Sequence, residues 1–224
     1  GITFVVLSIE QYEMCTNSAI TPALKVEDLM VNGMVWKLKK TAWYDAGRYL
    51  TAIGHHWGGT RDPKASWACV HEEQCNEGES SFHWVIEVVD EESKIVKLKK
   101  HALYDAGRYL TALGHHWGGT RDPKASWACV HEEQCNEGES SFHWVIEVVD
   151  EESKIVKLKK HALYDAGRYL TAIGHHWGGT RDPKASYKAC FLWACVHEEQ
   201  CNEGESSFHW VIEVVDEEST TSIT

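Results

Sequence analysis

The stretch Ser81-Phe-His-Trp-Val-Ile-Glu-Val-Val89 places a large apolar residue at every second position. Because neighbouring side chains of a strand point to opposite faces, Phe82, Trp84 and Ile86 would share one buried face. The next segment, Val89-Asp-Glu-Glu-Ser-Lys-Ile-Val96, has the length and polarity of a hairpin turn rather than of a linker between independent domains. The sequence therefore predicts two antiparallel strands joined by an acidic turn.

This stretch occurs three times, because the chain copies itself with a period of 60 residues. Residues 37–96 and 97–156 differ at three positions, and 157–219 follows the second copy except for one substitution and the six inserted residues 187–192. Residues 1–36 match none of the copies and are expected to be a leader that packs on the repeats. Each copy contains four segments typical of strands, which in the first copy are 34–39, 48–53, 66–71 and 81–89.

One such unit is too small to bury its own apolar face, so we expect the three copies to close around one core. Three four-stranded units around a pseudo-threefold axis form a β-trefoil, which also removes free sheet edges. The prediction is an all-β protein with a β-trefoil fold and a single domain. A propeller with three blades would fall below the usual blade number.

Composition and charge exclude several classes of partner. The 224 residues include 22 Lys and Arg against 34 Asp and Glu, a formal charge of −12, so we expect no nucleic-acid partner. No apolar run approaches the roughly 18 residues of a membrane span, so we expect no membrane insertion. The opening residues, Gly1-Ile-Thr-Phe-Val-Val-Leu-Ser8, lack an initiator Met and a basic segment, which is typical of a processed, secreted protein.

The eight cysteines are even in number, and six of them form the motif Cys-Val-His-Glu-Glu-Gln-Cys once per copy. We expect these pairs to form disulfides in an oxidising compartment, and the two cysteines outside the repeat to join the leader to the third copy. A metal site remains the alternative, although zinc favours two to four residues between cysteines. The expected pairs are Cys69 with Cys75, Cys129 with Cys135, Cys195 with Cys201, and Cys15 with Cys190.

The segment His55-His-Trp-Gly-Gly-Thr-Arg-Asp-Pro63 lacks strand alternation and combines two glycines with His, Trp, Arg and Asp. Adjacent glycines let a ligand approach the backbone, and an indole offers a flat apolar face to a sugar ring. Imidazole, guanidinium and carboxylate groups supply the donors and acceptors that a vicinal diol needs. His71-Glu72-Glu73 would complete such a pocket if both loops lie at the same end of the unit.

These motifs resemble the repeat of the galactose-binding lectins of mussels, which carries a His-Pro-Lys-Gly-Gly loop, an Asn-Pro four residues later and a His-x-Asp-x-His element. Three His- and Cys-rich copies are also similar to sea-hare egg lectins. The resemblance covers about residues 34–216 and implies one lectin domain whose partners are galactose-containing glycans. His56 and Trp57 stand where the family has Pro and Lys, and Cys75 stands at its last His.

The resemblance implies three equivalent sugar sites that would agglutinate glycans, with no cofactor. In the first copy the candidate carbohydrate-binding residues are His55, His56, Trp57, Gly58, Gly59, Asp62, His71 and Glu73. In the second copy they are His115, His116, Trp117, Gly118, Gly119, Asp122, His131 and Glu133. In the third copy they are His175, His176, Trp177, Gly178, Gly179, Asp182, His197 and Glu199.

Three other interpretations compete with the lectin. Imidazoles and carboxylates of the same loops, His55-His56 with His71 and Glu72 or Glu73, offer ligands for zinc or copper. A protease inhibitor of the same fold would act through one exposed loop, and the insertion 187–192 is the candidate for that loop or for a homodimer contact. We expect no enzyme, because a catalytic site rarely occurs in three unaltered copies whereas binding gains from multiplicity.

Overall fold

The computed structural model describes residues 24–41, 46–52, 64–71, 79–102, 105–112, 125–132, 139–172, 192–198 and 205–215. Over these residues the protein is all-β, with strands connected by turns and short 3-10 helices. No helix in these ranges has the length and apolar character needed to cross a membrane.

The strands repeat in the same order in each copy. The first copy contains β1 (Val35–Lys40), β2 (Tyr49–Ala52), β3 (Ala65–His71) and β4 (Trp84–Asp90). The second contains β5 (Ile95–Lys100), β6 (Tyr109–Ala112), β7 (Ala125–His131) and β8 (Trp144–Asp150). The third contains β9 (Ile155–Lys160), β10 (Tyr169–Thr171), β11 (Leu192–Trp193), β12 (Cys195–His197) and β13 (Trp210–Val214). The four segments predicted as strands in the first copy are confirmed, except that Phe82 ends a 3-10 turn before β4 begins.

Six strands close into a ring. β4 pairs with β5, β5 with β8, β8 with β9, β9 with β13, β13 with β1, and β1 with β4, and all these pairs are antiparallel. In the β4–β5 hairpin Ile86 lies opposite Leu98, and Asp90 begins the turn. The acidic turn predicted at 89–96 is therefore confirmed.

Three further hairpins lie at one end of this ring. They are β2 with β3, β6 with β7, and β10 with β12. They also pair with one another, since β3 contacts β7, β7 contacts β12, and β11 contacts β3. All thirteen strands of the described residues thus belong to one sheet.

The predicted β-trefoil of three four-stranded units is wrong. The strands instead form one continuous antiparallel sheet that closes into a barrel. The physical reason is the acidic turn at each repeat boundary, which joins the last strand of one copy to the first strand of the next. Hydrogen bonding therefore crosses the repeat boundaries instead of stopping at them, and no copy forms a sheet of its own.

The barrel core is built from the inward positions of the ring strands. Trp84, Trp144 and Trp210 are fully buried in it. Each indole Nε1 donates to a carbonyl of the hairpin layer, with nitrogen–oxygen distances of 2.9–3.0 Å to Leu50, Leu110 and Leu170. These bonds hold the hairpins onto the ring in all three copies.

Residues 24–34 pack against the same core. Val26 and Leu29 belong to the buried apolar cluster, and Trp36 Nε1 donates to the Leu29 carbonyl at 3.0 Å. Lys94 forms an ion pair of 2.7 Å with Glu27, which fastens this segment to the β4–β5 turn. The end of the leader is therefore part of the barrel.

Candidate functional site

Most of the predicted sugar-binding residues lie outside the described residues. In the first copy these are His55, His56, Trp57, Gly58, Gly59, Asp62 and Glu73. In the second they are His115, His116, Trp117, Gly118, Gly119, Asp122 and Glu133, and in the third His175, His176, Trp177, Gly178, Gly179, Asp182 and Glu199. The strands that flank these loops are described, and their ends show where each loop begins and ends.

In the first copy the glycine-containing loop connects β2 to β3. At the loop end of this hairpin Ala52 lies opposite Ala68, whereas at the other end Tyr49 lies opposite His71. Ala65 and His71 are the first and last residues of the seven-residue strand β3, so roughly 20 Å of strand separates them. The structure does not bring the backbone of His71 close to the end of its own copy's loop.

The neighbouring copy places its own His-Glu segment beside the end of the first loop. Ala65, just after the first loop, lies opposite His131 at the end of β7, and Glu132 N donates to the Lys64 carbonyl at 3.3 Å. Ala125 of the second copy lies opposite His197 of the third in the same way. Each of these loop ends therefore adjoins the His-Glu segment of the following copy.

The third copy completes the cycle. β11 follows the loop of the third copy and pairs with β3, so that Leu192 lies opposite Val70. Val70 directly precedes His71, which places the His-Glu segment of the first copy beside the end of the third loop. The strand ends that flank the three candidate loops thus lie at three junctions between copies.

The histidines at two junctions are held by the backbone. His131 and His197 are each only 3% exposed. Their Nδ1 atoms lie 2.8 Å from the carbonyl oxygens of Glu132 and Glu198, and since a carbonyl only accepts, the imidazole donates. These side chains fix the direction of the chain where it leaves the strand.

A buried charged cluster, which the sequence analysis missed, lies beside the first junction. Ser66 Oγ donates to Asp105 Oδ1 at 2.7 Å, and Arg108 Nη1 donates to the same oxygen at 3.0 Å. Asp105 is 2% exposed and belongs to the second copy, so the cluster joins two copies next to the candidate loop. The sequence feature that could have indicated this cluster is the segment Asp105-Ala-Gly-Arg108. The same segment recurs in the third copy, where Asp165 forms an ion pair of 3.1 Å with Arg168.

A second unpredicted cluster lies on the outer face of the barrel. Tyr109 Oη donates to Glu87 at 3.0 Å, and Lys97 and Lys99 pair with the same carboxylate at 3.2 and 3.4 Å. Burial works against ionisation of Glu87, but hydrogen bonds from Lys97 and Tyr109 hold the pKa of its carboxyl below the usual value. Equivalent clusters form around Glu147 and Glu213. Because their charges are mutually paired, we interpret these clusters as structural.

A lysine in each copy points into the end of the barrel. Lys100 is 2% exposed, donates from Nζ to the Ser81 carbonyl and lies 5.8 Å above the Trp84 ring. Lys40 and Lys160 make the equivalent contacts with Ser207 and Ser141. The hydrogen bond and the ring face compensate the buried charge, so these lysines belong to the core rather than to a ligand site.

The cysteine and metal predictions are only partly within the described residues. The sulfur-bearing side chains of Cys69, Cys129 and Cys195 are buried. Their predicted partners Cys75, Cys135 and Cys201, together with Cys15 and Cys190, lie outside the described residues, so the disulfides stay predictions. Among the described residues no three His, Cys, Asp or Glu side chains are grouped as metal ligands.

No protein-family model and no curated protein matches the sequence. Among solved structures, a salivary protein from Culex quiquefasciatus of the cysteine- and tryptophan-rich family is similar, with a TM-score of 0.51 and 13% identity over 82% of this chain and 95% of that one. The C-half of an earthworm R-type lectin in complex with GalNAc has a TM-score of 0.45 and 10% identity over 81% of this chain and 99% of that one. A Haemophilus ducreyi cytolethal distending toxin has a TM-score of 0.46 and 12% identity over 80% and 81%. At these identities a likeness shows the fold alone, and of these three structures only the Culex protein has a TM-score above 0.5. The resemblance to mollusc lectins stays a prediction.

Proposed function

We propose that the protein is a secreted, multivalent carbohydrate-binding protein without catalytic activity, which binds terminal galactose-type sugars through three equivalent sites. The observation that supports this proposal is the cyclic pairing of the hairpin layer. Each candidate loop ends beside the His-Glu segment of another copy, as Ala65 does beside His131. In the proposal, each of these strand ends carries one of three near-identical sets of polar and aromatic residues.

Each site is composite in this proposal. The loop of one copy contributes the glycine backbone, Trp57 and Asp62, and the following copy contributes Glu133 just beyond His131. The indole covers the apolar face of the sugar, while the carboxylates accept hydrogen bonds from its vicinal hydroxyls. The buried imidazole of His131 keeps the acidic segment in register with the loop.

Three copies of a weak site can together bind a glycan-bearing surface tightly. A shallow sugar site typically holds its ligand near the millimolar range, about −4 kcal/mol. Three sites on one body gain an avidity of roughly 10²-fold or more on a surface with many glycans, without any new contact. Agglutination of galactose-bearing cells is therefore the expected activity.

The direct test is a glycan array with galactose, N-acetylgalactosamine and galacturonate as competitors. We expect wild-type protein to bind galactose-terminated glycans, and the triple variant W57A/W117A/W177A to lose that binding while its circular dichroism stays unchanged. The matched control E92Q/E152Q alters exposed acidic turns that contain none of the candidate sugar-binding residues, and it is expected to bind like wild type. Unchanged binding by the triple variant would contradict the proposed sites.

A second experiment tests the composite arrangement. In the background W117A/W177A only the first loop remains intact, and Asp62→Asn is combined with either Glu133→Gln or Glu73→Gln. If the site spans two copies, the effects of D62N and E133Q on affinity are non-additive, whereas those of D62N and E73Q add. Coupling to Glu73 instead would place the site within one copy.

A further inference from the structure

Two histidines face each other across the hairpin of β8 and β9. Trp144 lies opposite Lys160, and one residue further His161 N donates to the His143 carbonyl at 3.0 Å. The Trp144 and Lys160 side chains point into the barrel, so alternation places both imidazoles on the outer face. Their ring centroids are 6.1 Å apart.

This spacing is close to that of two imidazoles on one metal ion. With metal–nitrogen bonds of about 2.0–2.1 Å, two coordinated imidazole rings have centroids roughly 5–6 Å apart, depending on the angle at the metal. His143 Nε2 is buried and has no hydrogen-bond partner in the described part of the chain.

Acidic groups lie around the pair. Glu139 is close enough to His143 to oppose the effect of burial on its pKa. Hydrogen bonds from Ser93 lower the pKa of Asp90, and nearby His161 contributes in the same direction. Lys97 repels a cation at this position, but its charge is paired with Glu139 at 3.1 Å. These carboxylates contribute negative charge to the surroundings, and the two imidazoles are the protein ligands of the candidate site.

We propose that His143 and His161 bind a divalent transition-metal ion, with water completing its coordination. Imidazole pairs of this kind favour Cu²⁺, followed by Ni²⁺ and Zn²⁺. The two histidines are not among the residues of the proposed sugar sites, and the metal proposal does not depend on those sites.

The repeat supplies related sites for comparison. His83 and His101 form an equivalent pair with centroids 6.2 Å apart, but the residue that corresponds to Asp90 is Met30 in this copy. At the remaining junction Thr41 replaces the second histidine, and its N and Oγ1 both lie 3.3 Å from the His209 carbonyl. We expect weaker binding at the His83–His101 pair and the weakest at His209.

The test uses His161→Thr, because threonine occupies the same position in the first copy and the backbone accepts it. Cu²⁺ is titrated into the full chain and into the variants H161T, H101T and H101T/H161T, and binding is followed by calorimetry and by electron paramagnetic resonance. We expect H161T to weaken the tightest site at least about tenfold and to remove a two-nitrogen signal, whereas H101T alters only a weaker site. Circular dichroism confirms folding of each variant.

The converse variant Thr41→His is expected to add one two-nitrogen site at the third junction. An unchanged copper affinity and spectrum in H101T/H161T would overturn the proposal, since the bound copper would then lie on other histidines. Failure of Thr41→His to gain a site would count against the facing geometry as the cause of binding.

Discussion

Replacing Trp144 by Phe tests how the hairpin layer is held onto the barrel. The indole is fully buried, and its Nε1 donates to the Leu110 carbonyl at 2.9 Å. Phenylalanine keeps an aromatic ring but removes the donor, and leaving a buried carbonyl without this partner costs about 1–3 kcal/mol. The smaller ring leaves a void that costs about 1–2 kcal/mol more. We therefore expect W144F to lower the free energy of unfolding by about 2–5 kcal/mol.

Urea unfolding followed by far-ultraviolet circular dichroism measures this loss. For a chain of this size this loss corresponds to a fall in Tm of roughly 4–20 °C. The matched control is W127F, because Trp127 is a half-buried indole of the adjoining strand β7 and its replacement is expected to cost less than about 1 kcal/mol. W84F and W210F, with Nε1–O distances of 3.0 Å each, are expected to behave like W144F. Equal losses in W144F and W127F would refute the reasoning.

Three other predictions concern a shared carboxylate, a glycine turn and a pair of cysteines. Glu87→Gln removes the carboxylate shared by Lys97 and Tyr109 and is expected to cost about 1 kcal/mol at pH 7. The pKa of Glu87 is lower in the folded than in the unfolded state. The ionised carboxylate therefore stabilises the fold above the unfolded-state pKa, and this stabilisation is lost as the pH falls through the folded-state pKa. Urea unfolding curves of wild type and E87Q should therefore converge in acid. Gly107→Ala places alanine at a φ of +85°, where its Cβ meets no other atom, so the cost comes from backbone strain alone. Chemical denaturation should show a free energy of unfolding lower by about 1–2 kcal/mol. The control A106S in the same turn should leave this free energy unchanged. Peptide mapping without reductant is expected to recover Cys129 linked to Cys135, and an alkylated Cys129 in that map would contradict the predicted disulfide.

The strands were predictable because their signal is local. The alternation of Phe82, Trp84 and Ile86 predicts a half-buried strand without knowledge of its neighbours, and the acidic turn that follows predicts a hairpin. Which strands pair next is a long-range property that identical copies leave undetermined. The pairing of Ala65 with His131, rather than with a residue of its own copy, therefore came only from the structure.

Buried charges were the other feature that the sequence concealed. Lys100 continues an alternating pattern and would ordinarily be assigned to solvent, yet its Nζ lies 5.8 Å from the Trp84 ring and donates to a carbonyl. Asp105 belongs to a turn, where carboxylates are usually solvated, but is buried by Ser66 and Arg108 of two different copies. Both arrangements require groups from distant parts of the chain, which a local pattern cannot predict.

Isothermal titration of the full chain with a monovalent galactose-terminated oligosaccharide tests the central proposal most directly. Three equivalent sites at the junctions between copies predict three ligands bound per chain, two in W57A and none in W57A/W117A/W177A. Binding that persists unchanged in the triple variant, or the absence of any binding to wild-type protein, would contradict the account.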